Sequence, residues 1–298
     1  LAPIEKVTND SGEGLGQLLS QIQSHLGKEE SSLGPLLESI GDQTPDRLES
    51  LAKMLEHRTE QIRWLALESH RKRIRTQLKE ELIKTEKEAN LLHAALLIAK
   101  HDYPELNIQA YENAVNRMAK EIQRQHASQD EMPEIMDSLL TYLFKENGYH
   151  GSFTDYENAA NSYLNKVIDD REGLPITLSV LFIELAERLG IEGVTGLPLP
   201  GHFLVKHQPE KGSIKLIDVF HSGEEMTFEE ADSLALQYQV NDVRSKYMAS
   251  ASKRDIIMRM LTNLRYFTQS HSRLEDSLPY LDLMIAIDEE DASLRLER

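Results

Sequence analysis

Apolar residues recur along this chain at three- and four-residue steps, a spacing that predicts a mostly helical fold. Leu15, Leu18, Leu19, Ile22 and Leu26 form one such face, stopped by Gly27, and Leu33, Leu36, Leu37 and Ile40 form a second. Residues 1–14, polar and Gly-containing, read as a loose arm. Thr44-Pro45-Asp46 opens a third helix, with Thr44 as N-cap and Pro45 at the first helical position. From Arg58 to about Leu97 the chain is charged and free of Gly and Pro. Its apolar positions include Ile62, Leu65, Ile74, Leu78, Leu82 and Ile83, and one long helix or two consecutive ones fit. Pro104 ends that region, AYENAVNRMAKEIQRQ starts another helix, and Leu139, Leu140, Leu143 and Phe144 mark a short one closed by Asn147-Gly148.

After Asn161 the pattern changes. Helices are expected at residues 161–168 and 175–189, the second stopped by Gly190, and strands at 203–206 and 214–219. The proline-flanked run GVTGLPLPG reads as a turn-rich crossing rather than a nucleotide loop. Thr227 and Glu230 resemble a helix opening with Thr227 as N-cap. Two antiparallel helices follow at about 254–270 and 273–287, and a third begins at Ala292. The segment LEDSLPYLDLMIAIDEEDA looks like a tetratricopeptide unit cut short at Arg298. One unit and a fragment cannot form a solenoid, so packing against the main domain is its expected role.

Composition narrows the classes. With 33 Lys plus Arg against 50 Asp plus Glu, the net charge of −17 opposes phosphate backbones, so no nucleic-acid partner is expected. The basic run His70 to Lys79 reads as the solvated face of a long helix. No apolar run approaches the roughly 18 to 20 residues of a membrane span. The absence of cysteine excludes disulfides, cysteine-ligated zinc and thiolate catalysis. A cytoplasmic location is expected. Because the sequence starts at Leu1 rather than Met, an exported mature chain stays open as the alternative. Oligomeric state and partner identity are not legible.

Four ordered segments, HAALLIAKHDYPELNIQAY, NSYLNKVIDDREGLPITLS, LPGHFLVKH and IDVFHSGEEMTFEEA, resemble the bacterial SirB-one family. That family belongs to a transglutaminase-like superfamily, and an animal F-box protein carries a related domain. The likeness runs from about Glu88 to Arg298 and implies an α+β, mostly helical fold. Its parts would be a transglutaminase-like (papain-like) core with a small antiparallel sheet at residues 88–249, an N-terminal helical extension at 1–87 and a tetratricopeptide-like hairpin at 250–298. In active members a cysteine begins a helix, whose N-terminal dipole lowers the thiol pKa. A His on the next strand acts as base, and an Asp beyond orients it. Aligning back from Leu189-Gly190-Ile191 puts the cysteine position at Pro175 or Ile176, while His202 and Asp218 match the other two. SirB-one-type proteins show a Gly-Ile-Pro-Ile-Ser pattern at that position, so the missing thiol belongs to the resemblance. Their name implies a regulatory role.

Thr177 and Ser179 are the hydroxyls nearest the vacant position. A helix turns about 100° per residue, so either would point well away from the cysteine's direction. Thr177 bonding back to a carbonyl or capping the helix is the favoured role. Asn161, Tyr163 and Asn165, with Pro175 and Ile176, are expected to line the cleft, and Asn161 also to N-cap its helix. His202 reads as a structural partner of Asp218 ahead of a catalytic base. A zinc site from His202, His207, His221 and Asp218 is disfavoured, because residues five apart on a strand face opposite sides, and no metal or cofactor is expected. The function these readings favour is non-catalytic binding of a protein or peptide, in a regulatory role. The alternative is a hydrolase or acyl-transferase that uses His202 and Asp218 with a hydroxyl or activated water.

Overall fold

A computed structural model of the chain describes residues 44–127, 134–236 and 249–298. The arm at residues 1–14 and the helices expected at 15–26 and 32–40 lie outside them. By its contacts the chain divides into two units, residues 1–68 and 69–298. The described residues of the first unit belong to helix α1 (Thr44–Ile83), where Ile62, Trp64 and Leu65 are exposed.

In the second unit the end of α1 buries Ile74 and Leu78. The Gly- and Pro-free run then resolves into two helices, because residues 84–90 form a turn built from side chains. Thr85 and Glu88 bond each other, the Glu81 carboxylate accepts the Asn90 amide at 2.7 Å, and the Asn90 side chain caps the next helix through His93. That helix, α2 (Leu91–Asp102), is apolar on nearly every side and almost wholly buried. Helix α3 (Ile108–Ala127) is amphipathic and turns Val115, Ala119 and Ile122 inward. Helix α4 (Ile135–Leu140) widens into a π-helical turn at Thr141–Glu146, ended by Gly148 at a φ of 67°.

The segment expected as one helix from Asn161 is split. A 3₁₀ turn (Ala159–Ser162) is followed by an extended Tyr163 and helix α5 (Leu164–Asp170). Between α4 and α5 lies the two-residue strand β1 (His150–Gly151), which pairs in parallel with β2 (Glu172–Gly173). Helix α6 (Pro175–Arg188) follows, and Gly190 at a φ of 74° ends it as expected.

Four antiparallel strands form the main sheet in the order β3-β4-β5-β6: β3 (Val194–Leu199), β4 (His202–His207), β5 (Lys215–Asp218) and β6 (Glu224–Met226). β3 corrects the reading of GVTGLPLPG as a crossing. Pro198 pairs with Phe203 in a strand that closes the sheet at one edge, where a residue without an N–H is tolerated. Side chains alternate across the sheet with period two. Phe203, Val205 and Ile217 enter the main core, while Leu197, Leu199, Leu204 and Leu216 meet Ala231 and Ala235 of α7 (Phe228–Leu236). The Thr227–Glu230 capping box at the start of α7 forms as its sequence predicts.

Helices α8 (Lys253–His271) and α9 (Leu278–Ile287) bury Ile256, Met260, Leu264, Leu281 and Met284 in the same core as α2 and α6. A short α10 (Ala292–Leu296) ends the chain. One polar cluster joins α2 to α9: Asp102 accepts from His101 Nδ1 at 2.7 Å, Tyr163 Oη at 2.6 Å and Tyr280 Oη at 2.8 Å. Burial alone pushes the Asp102 carboxyl up, but the bonds from His101 and the two tyrosines outweigh it and hold the pKa below the ordinary 3.8. Its contribution is therefore complete above that value and lost as pH falls through the lower folded value. Asp102→Asn is expected to lower stability by about 2 kcal/mol at pH 7. The gap to wild type narrows in urea unfolding repeated at pH 3.

Candidate functional site

The site grows from the start of α6. Leu174 is extended, with φ −77° and ψ 161°, and Pro175 follows at the first helical position, where its missing N–H costs nothing. Thr177 Oγ1 accepts the Leu174 amide at 3.0 Å and donates to the Asn161 carbonyl at 2.8 Å. Ser179 Oγ donates to the Pro175 carbonyl at 2.7 Å. Both hydroxyls are buried and serve the backbone, so the structure does not bring them to a cleft as nucleophiles.

The short strands set this helix start against the sheet. Gly151 donates its amide to Phe220 at 3.1 Å, and Ser152 donates to Gly173 at 3.1 Å. A Cβ on Gly151 would stand 2.4 Å from the Phe220 ring, so only glycine lets that ring lie over β1.

His202 is the first residue of β4 and Asp218 the last of β5, and their side chains meet, Nε2 to Oδ2, at 2.9 Å. The turn after β5 adds a second imidazole: His221 Nδ1 stands 2.9 Å from the same oxygen. Oδ1 accepts the backbone amides of Phe220 and His221 at 3.0 and 3.3 Å. The turn depends on Ser222 and Gly223, both at positive φ (58° and 78°), and Leu140 and Phe144 would stand within 2.7 Å of a Cβ on Gly223. Burial pushes the Asp218 carboxyl up, yet the bonds from His202 and His221 hold its pKa below the ordinary value.

These groups form one wall of a cleft of about 670 Å³, within the usual range for ligand sites. Pro175, Pro200, Gly201, Phe220 and Tyr156 line it together with the His–Asp–His cluster, as do Glu224, Met226, Glu230, Ser233 and Leu234. Phe153 and Tyr156 stack edge-on against Phe220 at 4.7 and 6.0 Å and are themselves exposed, forming an aromatic rim.

Of the residues expected in the cleft, Pro175, His202 and Asp218 are brought together. Ile176 is buried. Asn161 sits within the 3₁₀ turn rather than at its N-cap, which Asn158 occupies, and donates to the Asp155 carbonyl at 2.7 Å. Tyr163 bonds Asp102 and Tyr280 instead of facing His202, and Asn165 is buried on α5. His207 stands apart, as its spacing from His202 predicts, while His221 joins. Its signal in the sequence is the turn former Ser222-Gly223 directly after it, which folds residue 221 back over Asp218.

A helix start, a His-bearing strand and an Asp-bearing strand converging on one cleft define a transglutaminase-like core. The chain belongs to the transglutaminase-like superfamily, whose model matches residues 109–262. It is 35% identical over 179 residues to a UPF0162 protein of Xylella fastidiosa, a match covering 58% of this chain and 63% of that protein. It is 27% identical over 176 residues to the F-box only protein 21 of Homo sapiens, covering 55% of this chain and 27% of that protein. A UPF0162 protein of Vibrio cholerae is 24% identical over 115 residues, covering 39% of this chain and 42% of that protein. The chain thus spans less than two thirds of the length of these relatives. No solved structure gives a significant match.

Thr177→Val keeps the side chain's shape and removes its bonds, which leaves the Leu174 amide in the core with only its longer bond to the Asn161 carbonyl at 3.4 Å. A stability loss of about 1–3 kcal/mol is expected in urea unfolding.

Proposed function

We propose that the second unit is a non-catalytic, SirB-one-type binding domain that takes a peptide segment of a partner protein into the cleft beside His202. The observation that supports this reading most is a formed, aromatic-rimmed cleft beside the helix start, where Pro175 and the buried Ile176 are the two residues matched to the nucleophile's position. Proline carries no nucleophilic atom, and the two nearest helix hydroxyls serve the backbone. The exposed rings of Phe153 and Tyr156 offer a peptide apolar contact at low entropic cost.

Charge narrows the ligand. Glu224, Glu225 and Glu230 line the cleft and, among the described residues, no Lys or Arg does, so an acidic segment is opposed while a neutral or basic one is accepted. The division at residues 87/88 and 249/250, the tetratricopeptide-like character of α8 to α10, a regulatory role and a cytoplasmic setting belong to the same proposal. The alternative, hydrolysis or acyl transfer, retains only its activated-water form, with His202 oriented by Asp218 as the base.

The test is fluorescence anisotropy with labelled peptides that differ in one central residue: Lys, Arg, Leu or Glu. The Glu series is expected to bind at least about tenfold more weakly than the Lys series. Ser233→Trp, at an exposed position on α7, fills the cleft and is expected to abolish binding without unfolding the protein. Binding that is indifferent to Ser233→Trp would exclude the cleft as the site. Recovery of cleaved peptide by mass spectrometry would favour the water-activating alternative.

A further inference from the structure

The geometry points to a divalent transition-metal site at the base of this cleft, formed by His202, Asp218 and His221. Their ligand atoms all lie within 4.8 Å of one another, the one such group of three His or carboxylate residues among the described residues. Two imidazole nitrogens, His202 Nε2 and His221 Nδ1, stand 2.9 Å from a single carboxylate oxygen, Asp218 Oδ2. Two neutral imidazoles and one carboxylate are the donor set that suits zinc, cobalt and related first-row ions, whereas calcium and magnesium favour all-oxygen shells.

The support around the carboxylate fits that role. Asp218 Oδ1 is held by two backbone amides at 3.0 and 3.3 Å, which fixes the plane of the carboxylate and turns Oδ2 toward the imidazoles. Such outer bonds orient a metal ligand before the ion arrives. Side-chain exposure rises from 2% at Asp218 through 13% at His202 to 51% at His221, so the carboxylate end is enclosed while the His221 ring lies at the solvent edge, where an ion can reach it. Zinc–nitrogen bonds are about 2.0–2.1 Å, so adjacent ligand atoms of a tetrahedral site stand about 3.3 Å apart. The two observed 2.9 Å separations stand close to that value, and the two ring nitrogens lie within 4.8 Å of each other, so binding an ion requires the rings to adjust.

Three protein ligands leave a fourth position, which faces the cleft. Glu224, paired with Asp218 on the neighbouring strand and lining the same cleft, and the overall charge of −17 both favour the entry of a cation. Binding exchanges the two N–H···Oδ2 bonds for metal–ligand bonds. Each ring's facing nitrogen gives up its proton, by release or by a tautomer shift to the other nitrogen. This site shares the cleft but does not rest on the peptide reading, and its test contains no peptide.

Chelator-stripped protein is titrated with zinc in competition with a chromophoric chelator, and with cobalt(II) followed by visible absorption. One ion per chain is expected. His221→Ala, at a half-exposed position in a turn, should weaken binding about tenfold or more, while His207→Ala leaves it unchanged. In a chain without cysteine, His221→Cys introduces a single thiol, and its cobalt complex should gain a thiolate-to-metal charge-transfer band. Equal zinc affinity in wild type and His221→Ala, fewer than one ion per chain, or a His221→Cys cobalt complex without that band would each overturn the assignment. Loss of peptide binding in the separate anisotropy assay leaves all three readouts untouched.

Discussion

Burial of α6 on every side is the constraint on which this unit depends. Its residues from Pro175 through Ala186 are all buried, enclosed by α2, α3, α5 and the sheet. A helix without a solvent face must satisfy each polar side chain within the protein. Thr177 and Ser179 do so on carbonyls, and Glu184 does so through Oε2 alone, on Arg188 at 2.5 Å, while its Oε1 is buried without a hydrogen-bond partner among the described residues. Burial raises the Glu184 pKa even with that guanidinium beside it. The same requirement consumes the hydroxyls that a catalytic reading needs, so packing and the lack of a helix nucleophile share one cause.

The cleft follows from how the sheet is hung on that helix. β2 leads directly into α6, β1 pairs with β2, and the Gly151 amide holds the Phe220 carbonyl, so the turn after β5 is tied to the helix start. Asp218 then gathers what the turn and β4 deliver: two backbone amides on one oxygen, two imidazoles on the other. A buried carboxylate with four donors is satisfied and rigid, and it fixes the direction of both histidines.

Much of this was legible along the chain. Periodic helices, the caps at Gly190 and Thr227, and the meeting of His202 with Asp218 follow from local chemistry and from the ordered motifs. What failed depends on partners distant in sequence. GVTGLPLPG looks like a turn because Gly and Pro dominate it, yet β4 supplies the hydrogen bonds that make it an edge strand. Tyr163 and Asn161 look like cleft residues because they precede α6, but Asp102, 61 residues away from Tyr163, draws that ring into another cluster. Asn161 is held by a local carbonyl in a 3₁₀ turn that helical spacing does not reveal. For His221 the signal is the turn former Ser222-Gly223 behind it, whose positive φ values fold the residue back over Asp218.

Pro175 shapes the helix start in its own right. A cysteine at a helix start is activated because the free N–H groups and the dipole there favour negative charge. Proline at that position removes one of those N–H groups and places a ring on the cleft wall. Glu224, Glu225, Glu230 and Asp218 line the same cleft, and among the described residues no Lys or Arg does. That acidic lining favours neutral and positive ligands over anionic ones. The basic peptide side chain proposed at the rim and the cation proposed at the base would both be attracted by it.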